Sequence, residues 1–457
     1  MSRSEHVLPK RMEVGPAGRK LQVAFVYSRM PFPMMRGDQL TVAHLLSFLT
    51  ARGHEVDFFT LDADGHPSDE QKRWMHETCR NVNIYRQGNL LKIAGILRGL
   101  FRGLPMQVGI FTNNKLIRDV RKGVLEGKYD VLYVYYLRSA EVVSPALDAA
   151  QISKRVGRPV ATYLAMQLSQ TLNTFRIYQN CKGLIKKAIY GLELNLMRRY
   201  ESIVWTRFTR SVLIGRSDLE AIKEECRTRN VPEIQNWFFC AHGTDVSRFY
   251  PASQLDIVPK RIVFSGNMQY VPNVQAILWF AENCWDAIRA RVPSAELVIQ
   301  GCDPLPDVKR LHGTRGIVVT GTVPDVGTNI RSAAVCINPM LAAGGMQNKL
   351  IEYLASAKAV VATTVANEGI GAVPGQHFLE ANTADEFVSN IIELFENPHL
   401  AEQLGNNGRD YVLQEWTWEA HFMKLEKDFM TVLDGAALAQ FQAHEDALAA
   451  ESGISVH

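Results

Sequence analysis

The sequence predicts an α/β protein made of two consecutive domains, each built around a parallel sheet. Its 457 residues exceed the ordinary size of one compact domain. Short β-branched runs alternate with longer helical patterns from Leu21 to about residue 400, which is typical of βαβ units. The polar stretch Pro251–Pro259 interrupts this alternation, which restarts directly after it. We therefore expect the domain boundary in that stretch.

The first domain is expected over residues 21–250, after a flexible tail at residues 1–20. Its first strand is LQVAFVYS (21–28), and QLTVAHLLSFLTARGH (39–54) is a helix that ends near Gly53. The pattern weakens between the second strand and residue 120. The remaining predicted strands of this sheet are EVDFFTL (55–61), YDVLYVYYL (129–137), RPVATYL (158–164) and TRSVLIG (209–215).

The second domain is expected over residues 251–415, with helices beginning near Asn273, Val326 and Met346. An amphipathic helix, WTWEAHFMKLEKDFMTVL, dominates residues 416–436, and residues 437–457 form a tail. The predicted strands of the second sheet are RIVFSG (261–266), AELVIQG (295–301), GIVVTG (316–321), AVCINPM (334–340) and KAVVATT (358–364).

Composition excludes several classes of protein. With 47% apolar and 21% charged residues, the chain is neither disordered nor collagen-like. Seven scattered Cys without CxxC spacing favour reduced thiols and argue against a zinc site. The polar N-terminus does not resemble a signal peptide, and no window approaches the length of an apolar membrane span. We expect a cytoplasmic protein that can rest on the inner face of the cytoplasmic membrane without crossing it.

Charge is distributed unevenly along the chain. Residues 1–250 carry 37 Lys and Arg against 23 Asp and Glu, whereas the remainder carries 13 against 24. A basic half suggests contact with something anionic, such as a membrane surface, although a solvated basic face would give the same count. We expect no nucleic-acid partner, because the chain has no interleaved aromatic and Arg platform of the kind that binds single strands.

Two segments of the basic half have the composition of interfacial helices. In NLLKIAGILRGLFRGLP (89–105), Lys92, Arg98 and Arg102 share one helical face opposite Leu and Ile. The second segment, CKGLIKKAIYGLELNLMRRY (181–200), is similar. Together they would suit an anionic membrane and a polyprenyl-linked acceptor. Alternatively, both helices pack on their own domain with the basic faces in water.

The most informative segment for function is Asn338–Thr364. A predicted strand is followed by a loop of small residues that includes Gly344 and Gly345, and a helix then begins near Met346. Helix N-termini bind phosphates. Lys349 in the first helical turn is unfavourable for the helix dipole unless an anion lies beside it, and Glu352 shares its face and can accept hydrogen bonds from ribose hydroxyls. The pattern describes a site for a nucleotide diphosphate, and an ordinary surface Lys–Glu pair is the alternative.

With other loops, this segment gives the chain a family resemblance. The series GHEV (53–56), HGTDVSRFYP (242–251), FSGNMQYVPNVQAILWF (264–280), VTGTVPDV (319–326) and GGMQNKLIEYLA (344–355) resembles the GT-B glycosyltransferases of family 4, or group 1, particularly bacterial enzymes of exopolysaccharide synthesis. The resemblance covers roughly residues 20–430. It implies two Rossmann-like domains that face each other across a cleft, with the acceptor at the first, the nucleotide-sugar donor at the second, and a C-terminal helix that crosses back to the first.

The resemblance also implies roles for individual residues. Glu352 matches the second Glu of the family's E-x7-E motif, which holds the donor ribose, and Lys349 lies where the diphosphate or sugar binds. Gly37 matches the glycine of the loop that faces the transferred sugar, with Arg36 and Asp38 beside it. The implied catalytic residues are Lys349, Arg36 and Gly37. The implied donor-binding residues are Glu352, Gly344, Gly345, Met346, Gln347, Asn348, Gly266 and Asn267.

The chain departs from the family pattern at several of these positions. Gly344 stands where the first Glu of the motif is expected, and Asn267 and Asn273 stand where many relatives have basic residues. Lys349, Arg36 or Arg216 could supply the missing charge for the leaving diphosphate. The family uses no metal, and Asp62-Ala63-Asp64 lies in a polar loop, so we expect neither a metal nor another cofactor.

The expected activity is transfer of a sugar from a nucleotide diphosphate donor to a glycan or lipid-linked acceptor, with retention of configuration implied by the resemblance alone. A nucleotide-sugar epimerase of the same architecture is an alternative, with His44, His242 and Glu368 as candidate acid–base residues. A degenerate, non-catalytic partner subunit is another. An NAD-dependent dehydrogenase is disfavoured, because no G-x-G-x-x-G follows the first strand.

Overall fold

A computed structural model describes residue 12 and residues 14–32, 34, 36–62, 67–181, 183–253, 256–342 and 346–435. The chain divides into two compact units. The first consists of the residues up to His242 together with those from Phe422 onward, and the second is Gly243–His421. Each unit holds one parallel sheet, so the predicted α/β class with two Rossmann-like domains is confirmed. The predicted tail at residues 437–457 lies outside the described residues.

The first unit contains a parallel sheet with the strand order β3-β2-β1-β4-β5-β6-β7. The strands are β1 (Gln22–Tyr27), β2 (Glu55–Asp62), β3 (Asn81–Arg86), β4 (Val131–Tyr135), β5 (Ala161–Gln167), β6 (Arg210–Leu213) and β7 (Trp237–Phe239). The helices are α1 (Gly37–Ala51), α2 (Asp69–Thr78), α3 (Asn89–Phe101), α4 (Met106–Phe111), α5 (Asn114–Leu125), α6 (Ala149–Val156), α7 (Gln170–Asn180), α8 (Leu184–Val204) and α9 (Arg216–Thr228).

The second unit repeats this plan with the strand order β10-β9-β8-β11-β12-β13. The strands are β8 (Arg261–Ser265), β9 (Glu296–Gln300), β10 (Ile317–Gly321), β11 (Val335–Asn338), β12 (Ala359–Ala362) and β13 (Leu379–Glu380). The helices are α10 (Val271–Asn283), α11 (Trp285–Arg291), α12 (Pro306–Lys309), α13 (Val326–Ser332), α14 (Asn348–Ala355), α15 (Thr364–Asn367), α16 (Ala384–Glu396) and α17 (Pro398–Glu415), followed by α18 (Trp418–Leu433).

In both sheets the chain first adds strands on one side of a central strand, and it then returns to add the remaining strands on the other side of that strand. The reversal lies between β1 and β4 in the first unit and between β8 and β11 in the second. These central strands are buried, as continuous apolar runs in parallel sheets are expected to be. The loops at such a reversal diverge and leave a crevice outside the carboxyl ends of the strands. Each unit therefore has one place where a ligand site is expected.

The second unit begins earlier than the stretch at Pro251–Pro259 that the sequence suggested. Gly243 packs directly on Trp418, because a Cβ at Gly243 would lie 2.3 Å from the Trp418 backbone nitrogen. Thr244 donates its amide proton to the carbonyl of Trp416 at 2.8 Å. These long-range contacts hold the segment after residue 243 in the second unit, and the amino-acid pattern around it gives no sign of them.

The C-terminal part of α18 packs on the first unit. Phe429 lies with its ring centroid 4.7 Å from that of Tyr163, in an edge-to-face arrangement. Glu426 accepts a hydrogen bond from Arg52 Nε at 3.0 Å and lies 2.6 Å from His54 Nε2. Because the amide of Leu21 donates to His54 Nδ1, the proton of the neutral ring is on Nε2 and points to Glu426.

Two strands, β3 and β7, lie where the sequence pattern was too weak to predict one. β3 is partly exposed along most of its length, and β7 has three residues with no fully buried position. Both are the outermost strands of the sheet in the described part of the chain. Edge strands bury less apolar surface, so they lack the continuous apolar run by which their neighbours are recognised.

Candidate active site

The crevice of the second unit holds a cavity of about 580 Å³, within the range of small-molecule sites. Its floor is formed by the loops after β8, β9 and β10, and one wall is the beginning of α14. Both predicted polar residues of α14, Lys349 and Glu352, line this cavity. The expected site thus forms within one unit, at the topological reversal of its sheet.

Lys349 is 8% exposed, and its ammonium contacts only uncharged groups among the described residues. Its Nζ donates to Asn273 Oδ1 at 2.5 Å, lies 3.6 Å from Met340 Sδ, and sits 4.6 Å from the centroid of the Phe264 ring. Burial lowers the pKa of Lys349 from 10.5 to about 7, and the charge of Glu352 opposes this decrease only in part. An anion in the cavity would favour the charged form.

Asn273 connects Lys349 to the loop after β8. Its Nδ2 donates to the carbonyl of Asn267 at 3.0 Å, while its Oδ1 accepts from Lys349. The side chain is 5% exposed. The position where many relatives were expected to carry a basic residue therefore holds an amide that orients the buried lysine. Asn267 itself is exposed, and its Oδ1 closes a local turn by accepting from the amide of Gln269 at 2.9 Å.

Glu352 lies one helical turn beyond Lys349 on the same wall. Burial raises the pKa of its carboxyl, and the nearby charges of Arg248 and Lys349 lower it. No described residue donates a hydrogen bond to this carboxylate, so both oxygens can accept from a ligand. Arg248 is half exposed at the cavity and lies 3.7 Å from Asp325. The cavity thus carries one buried lysine, one arginine and one carboxylate able to bind a ligand.

Two glycines bring the backbone close to the cavity. A Cβ at Gly266 would lie 2.7 Å from Asn273 Nδ2, and a Cβ at Gly301 would lie 1.7 Å from the carbonyl oxygen of Gly266. Gly266 donates its amide proton to Gln300, and Gly301 donates to Gly321. These bonds join the loops after β8, β9 and β10. No larger side chain fits at Gly301 without moving the Gly266 loop.

The start of α14 differs slightly from the sequence expectation. The helix begins at Asn348, two residues after the predicted Met346, with Gln347 as an N-cap that makes no side-chain capping bond. Met346, Gln347 and Asn348 all line the cavity. The helix N-terminus therefore borders the site, as expected for an anion-binding segment. The two glycines predicted to bind the donor, Gly344 and Gly345, lie outside the described residues.

The remaining predicted residues lie in the first unit, at the loop after β1. Gly37 is the first residue of α1, and Arg36 is its N-cap, with an exposed side chain. A Cβ at Gly37 would lie 3.7 Å from His242 Nε2. Asp38 accepts from the Tyr27 hydroxyl at 2.8 Å and lies 3.6 Å from Arg29.

Near the same loop, His242 Nδ1 lies 2.7 Å from the Thr41 hydroxyl. Burial lowers the pKa of His242, and the charge of Asp38 partly offsets this, so the ring is neutral at pH 7. Arg216, the other proposed source of charge, is the exposed first residue of α9.

Among the residues that line the cavity, Arg248, Gly301 and Tyr270 received no role from the sequence. Arg248 and Tyr270 nevertheless lie in two of the segments that carry the family resemblance, 242–251 and 264–280. For Gly301, a glycine directly after a predicted strand was the available signal. Glu368, a candidate acid–base residue of the epimerase alternative, is exposed and does not line this cavity.

Two further observations concern metals and membranes. Within the described ranges, no group of three or more His, Cys, Asp and Glu side chains is placed to hold a metal ion. None of the described helices combines the length and apolar character needed to cross a bilayer. All seven cysteines are free thiols.

The two units, each with one parallel sheet, have the fold of the GT-B glycosyltransferases. The structure of Anabaena Alr3699/HepE in complex with UDP has this fold and is similar to the chain, with a TM-score of 0.52 and 13% identity, over 90% of this chain and 100% of that one. The predicted fold is therefore confirmed.

In sequence, residues 259–397, which span most of the second unit, match the family described as Glycosyl transferases group 1. This match is more specific than the likeness of fold. Most of the second unit thus matches a group 1 glycosyltransferase domain, and the predicted resemblance and enzyme class are confirmed.

Two relatives extend over both units. A 44.6 kDa protein in the cps region of Klebsiella pneumoniae is 20% identical over 89% of this chain and 99% of its own length. A phosphatidyl-myo-inositol mannosyltransferase of Mycolicibacterium smegmatis is 25% identical over 73% of each chain. Similarity to these proteins therefore includes the first unit as well as the matched domain.

Proposed function

We propose that this chain transfers a sugar from a nucleotide diphosphate donor to a glycan or lipid-linked acceptor, with retention of configuration, in the assembly of bacterial surface polysaccharide at the cytoplasmic side of the membrane. The observation that carries the proposal is the cavity of the second unit, where Lys349 and Glu352 project from the N-terminal part of α14. The relatives from a cps region and from lipid mannosylation, and the neighbour that binds UDP, support the same activity.

The donor would be held by complementary charge. The Lys349 ammonium, the N-terminal amides of α14 and Arg248 would bind the diphosphate, and the Glu352 carboxylate would accept from the ribose hydroxyls. As the bond to the sugar breaks, negative charge grows on the diphosphate, and a buried cation stabilises that charge more strongly than an exposed one. Arg36 and Gly37 of the first unit would act at the transferred sugar. We propose that these groups act without a metal.

Nucleotide binding tests this proposal directly. Thermal unfolding is measured with UDP, GDP, ADP, CMP and NAD, each with magnesium and with EDTA. A ligand at 100 times its Kd stabilises a folded protein by roughly 2.7 kcal/mol. We expect one nucleoside diphosphate to raise the Tm equally in both conditions. A shift with NAD alone would favour an oxidoreductase, and no shift with any nucleotide would favour a non-catalytic partner subunit.

The variant Glu352→Gln tests whether the Glu352 carboxylate binds the donor ribose. The substitution should weaken binding of the active nucleoside diphosphate by roughly tenfold or more, since a hydrogen bond to a charged group contributes about 1.5–3 kcal/mol. Glu393→Gln on the exposed side of α16 is a matched control. Equal affinity of Glu352→Gln and the control would remove Glu352 from the donor site.

We also propose that the first unit makes peripheral contact with an anionic membrane. Helix α3 buries only Gly95 and Gly99, while its large apolar side chains face solvent, with Leu90 84% and Phe101 93% exposed. At the start of α8, Leu184 is 88% exposed beside exposed lysines. Exposed apolar residues flanked by basic ones are typical of surfaces that lie in the bilayer interface.

Sedimentation with vesicles tests the membrane contact. The protein should sediment with phosphatidylglycerol vesicles and much less with phosphatidylcholine vesicles, and Phe101→Ser should reduce the bound fraction severalfold. Leu413→Ser, at an exposed leucine of α17 in the second unit, serves as the control. Equal binding to both vesicle types, or no effect of Phe101→Ser, would contradict the proposed surface.

A further inference from the structure

A groove of about 1030 Å³ lies beside α3 in the first unit, apart from the donor cavity of the second unit. One wall is β3, the outermost strand of the sheet, another is α3, and the start of α5 completes it. We call it the β3–α3 groove. Four cations line it together with apolar side chains that include Leu91 and Phe101. One of the four, Arg102, is paired with Glu141, and the other three are Arg86, Arg98 and Lys115.

The fold explains why the groove is open. Helix α3 contacts α4 through glycines, since a Cβ at Gly95 would lie 2.2 Å from the carbonyl oxygen of Gly109. Such a close approach needs a packing face without side chains. Glu193 of α8 fixes α4 in turn by accepting from the backbone amides of Met106 and Gln107 at 2.6 and 3.1 Å. The large side chains of α3 are therefore left for the groove and for solvent.

The charge of the groove is unbalanced. Arg86, Arg98 and Lys115 are exposed, and none of them forms an ion pair with a carboxylate in the described part of the chain. Asp119, the acid in the wall, already accepts from the Tyr85 hydroxyl and from Arg118 Nε, each at 3.1 Å. Three cations without carboxylate partners would bind an anionic group.

The apolar residues of the groove are exposed to an extent that is unusual for a folded domain. Leu91 is 49% exposed and Phe101 is 93% exposed. Covering these side chains with hydrocarbon would remove apolar surface from water. A free phosphate would use the cations and leave the apolar walls uncovered, whereas an uncharged hydrocarbon would leave the cations unneutralised. A ligand that contacts both the cations and the apolar walls has an apolar chain and an anionic head group.

We propose that the β3–α3 groove binds a single anionic lipid, with the hydrocarbon chain against Leu91 and Phe101 and the phosphate near Arg86, Arg98 and Lys115. The inference rests on the proposed function, whose membrane contact it deepens by naming the chemical class of the lipid and a site for one molecule. Occupancy would hold the first unit at anionic membranes more specifically than surface charge alone.

Monomeric decyl phosphate, used below its micelle concentration, tests the site without a bilayer. Binding to the full chain is measured by calorimetry and by the shift in Tm, in parallel with inorganic phosphate, decyl maltoside and decyltrimethylammonium. We expect decyl phosphate to bind at least tenfold more tightly than the other three. Arg98→Glu and Leu91→Ser should each weaken that binding at least fivefold, whereas Arg73→Glu, at an exposed arginine of α2, should not.

Each outcome is decisive. Equal binding of inorganic phosphate would make the groove a simple anion site, and equal binding of decyl maltoside would make it an uncharged apolar groove; both results overturn the proposal. Unchanged affinity in Arg98→Glu would overturn it as well. Nucleoside diphosphate binding is measured in the same samples. If the wild-type chain binds no nucleoside diphosphate, the proposed function is refuted. If it binds a nucleoside diphosphate but not decyl phosphate, only this inference is refuted.

Discussion

Lys349 and Asn273 form a buried contact in the cavity of the second unit, with the ammonium 2.5 Å from the amide oxygen. The same amide donates to the carbonyl of Asn267, so one side chain fixes both the lysine and the loop after β8. Because Asn273 is neutral, only the charge of Glu352 opposes the effect of burial on the lysine, and it does so in part. An anion bound in the cavity would stabilise the charged form of Lys349 further.

Replacing the Asn273 amide by a carboxylate should place a negative charge of the protein beside Lys349. In Asn273→Asp, the ion pair would raise the pKa of Lys349, and the new carboxylate would offset the positive charge of the ammonium. We therefore expect nucleoside diphosphate affinity to fall by roughly tenfold or more. Calorimetric titration measures the change. Asn283→Asp on the same helix, where the amide donates only to Trp279, is the control and should bind normally. Unchanged affinity in Asn273→Asp would show that Lys349 does not face the diphosphate.

Nucleotide binding should be coupled to proton uptake. Because the pKa of Lys349 is lowered to about 7, its amine is mostly uncharged at pH 8.5 in the free protein. A bound diphosphate would raise that pKa. Affinity should therefore fall by up to about tenfold per pH unit above pH 7.5, with uptake of roughly one proton per nucleotide.

Calorimetry at pH 8.5 in buffers of different ionisation enthalpy measures this uptake, and Lys349→Met should abolish it. Binding that takes up no proton in the wild-type chain would contradict the coupling.

Gly301→Ala should damage the second unit locally. The new Cβ would lie 1.7 Å from the carbonyl oxygen of Gly266, so the loop after β8 must move. We expect a loss of about 1–3 kcal/mol in the free energy of unfolding, together with weaker nucleotide binding. Urea denaturation gives the first quantity and calorimetry the second. Gly215→Ala, where nothing lies within 4 Å of the added carbon, should leave nucleotide binding intact.

Glu426→Gln should loosen α18 from the first unit. The carboxylate is buried between Arg52 and His54, with Arg52 Nη2 2.8 Å from Glu426 Oε2. Removing one charge of a buried pair leaves the other uncompensated and costs about 3 kcal/mol or more. A decrease in Tm, with faster proteolysis of α18, is the expected result. Lys427→Gln changes an exposed charge on the same helix, and a similar decrease there would make the effect nonspecific.

The residues of α14 that line the cavity could be named from the sequence because their signal is local. A strand, a loop of small residues and a helix follow one another within a short segment, and Lys349 and Glu352 share a face of that helix through its period. Gly266 was found for the same reason, since it directly follows a predicted strand. Arg248 lies in a segment that carries the family resemblance (242–251), but its place at the cavity could not be predicted, because only the fold brings that segment there.

Helix α3 shows the limit of reasoning from periodicity. The sequence left two predictions for this helix: that it lies at a membrane interface, or that it packs on its own domain with its basic residues in water. The structure does pack α3 on its own unit, but through Gly95 and Gly99. It exposes Phe101 and the leucines of the helix, except for the partly buried Leu100. A helical wheel identifies an apolar face but not the direction that the face takes. Here the close approach of Gly109 on α4 decides that direction.

The sequence by itself determined the α/β class, the two-domain plan and the placement of Lys349 and Glu352 on one face of a helix, because strand and helix periodicities and loop composition are local properties. The tertiary structure decided what depends on contacts between distant segments. It buried Lys349 beside the uncharged Asn273, and this burial lowers the pKa of the lysine; it also placed Gly301 against Gly266. Burial and close approach arise only when the sheet assembles, and they place a recognisable motif in the wall of a cavity.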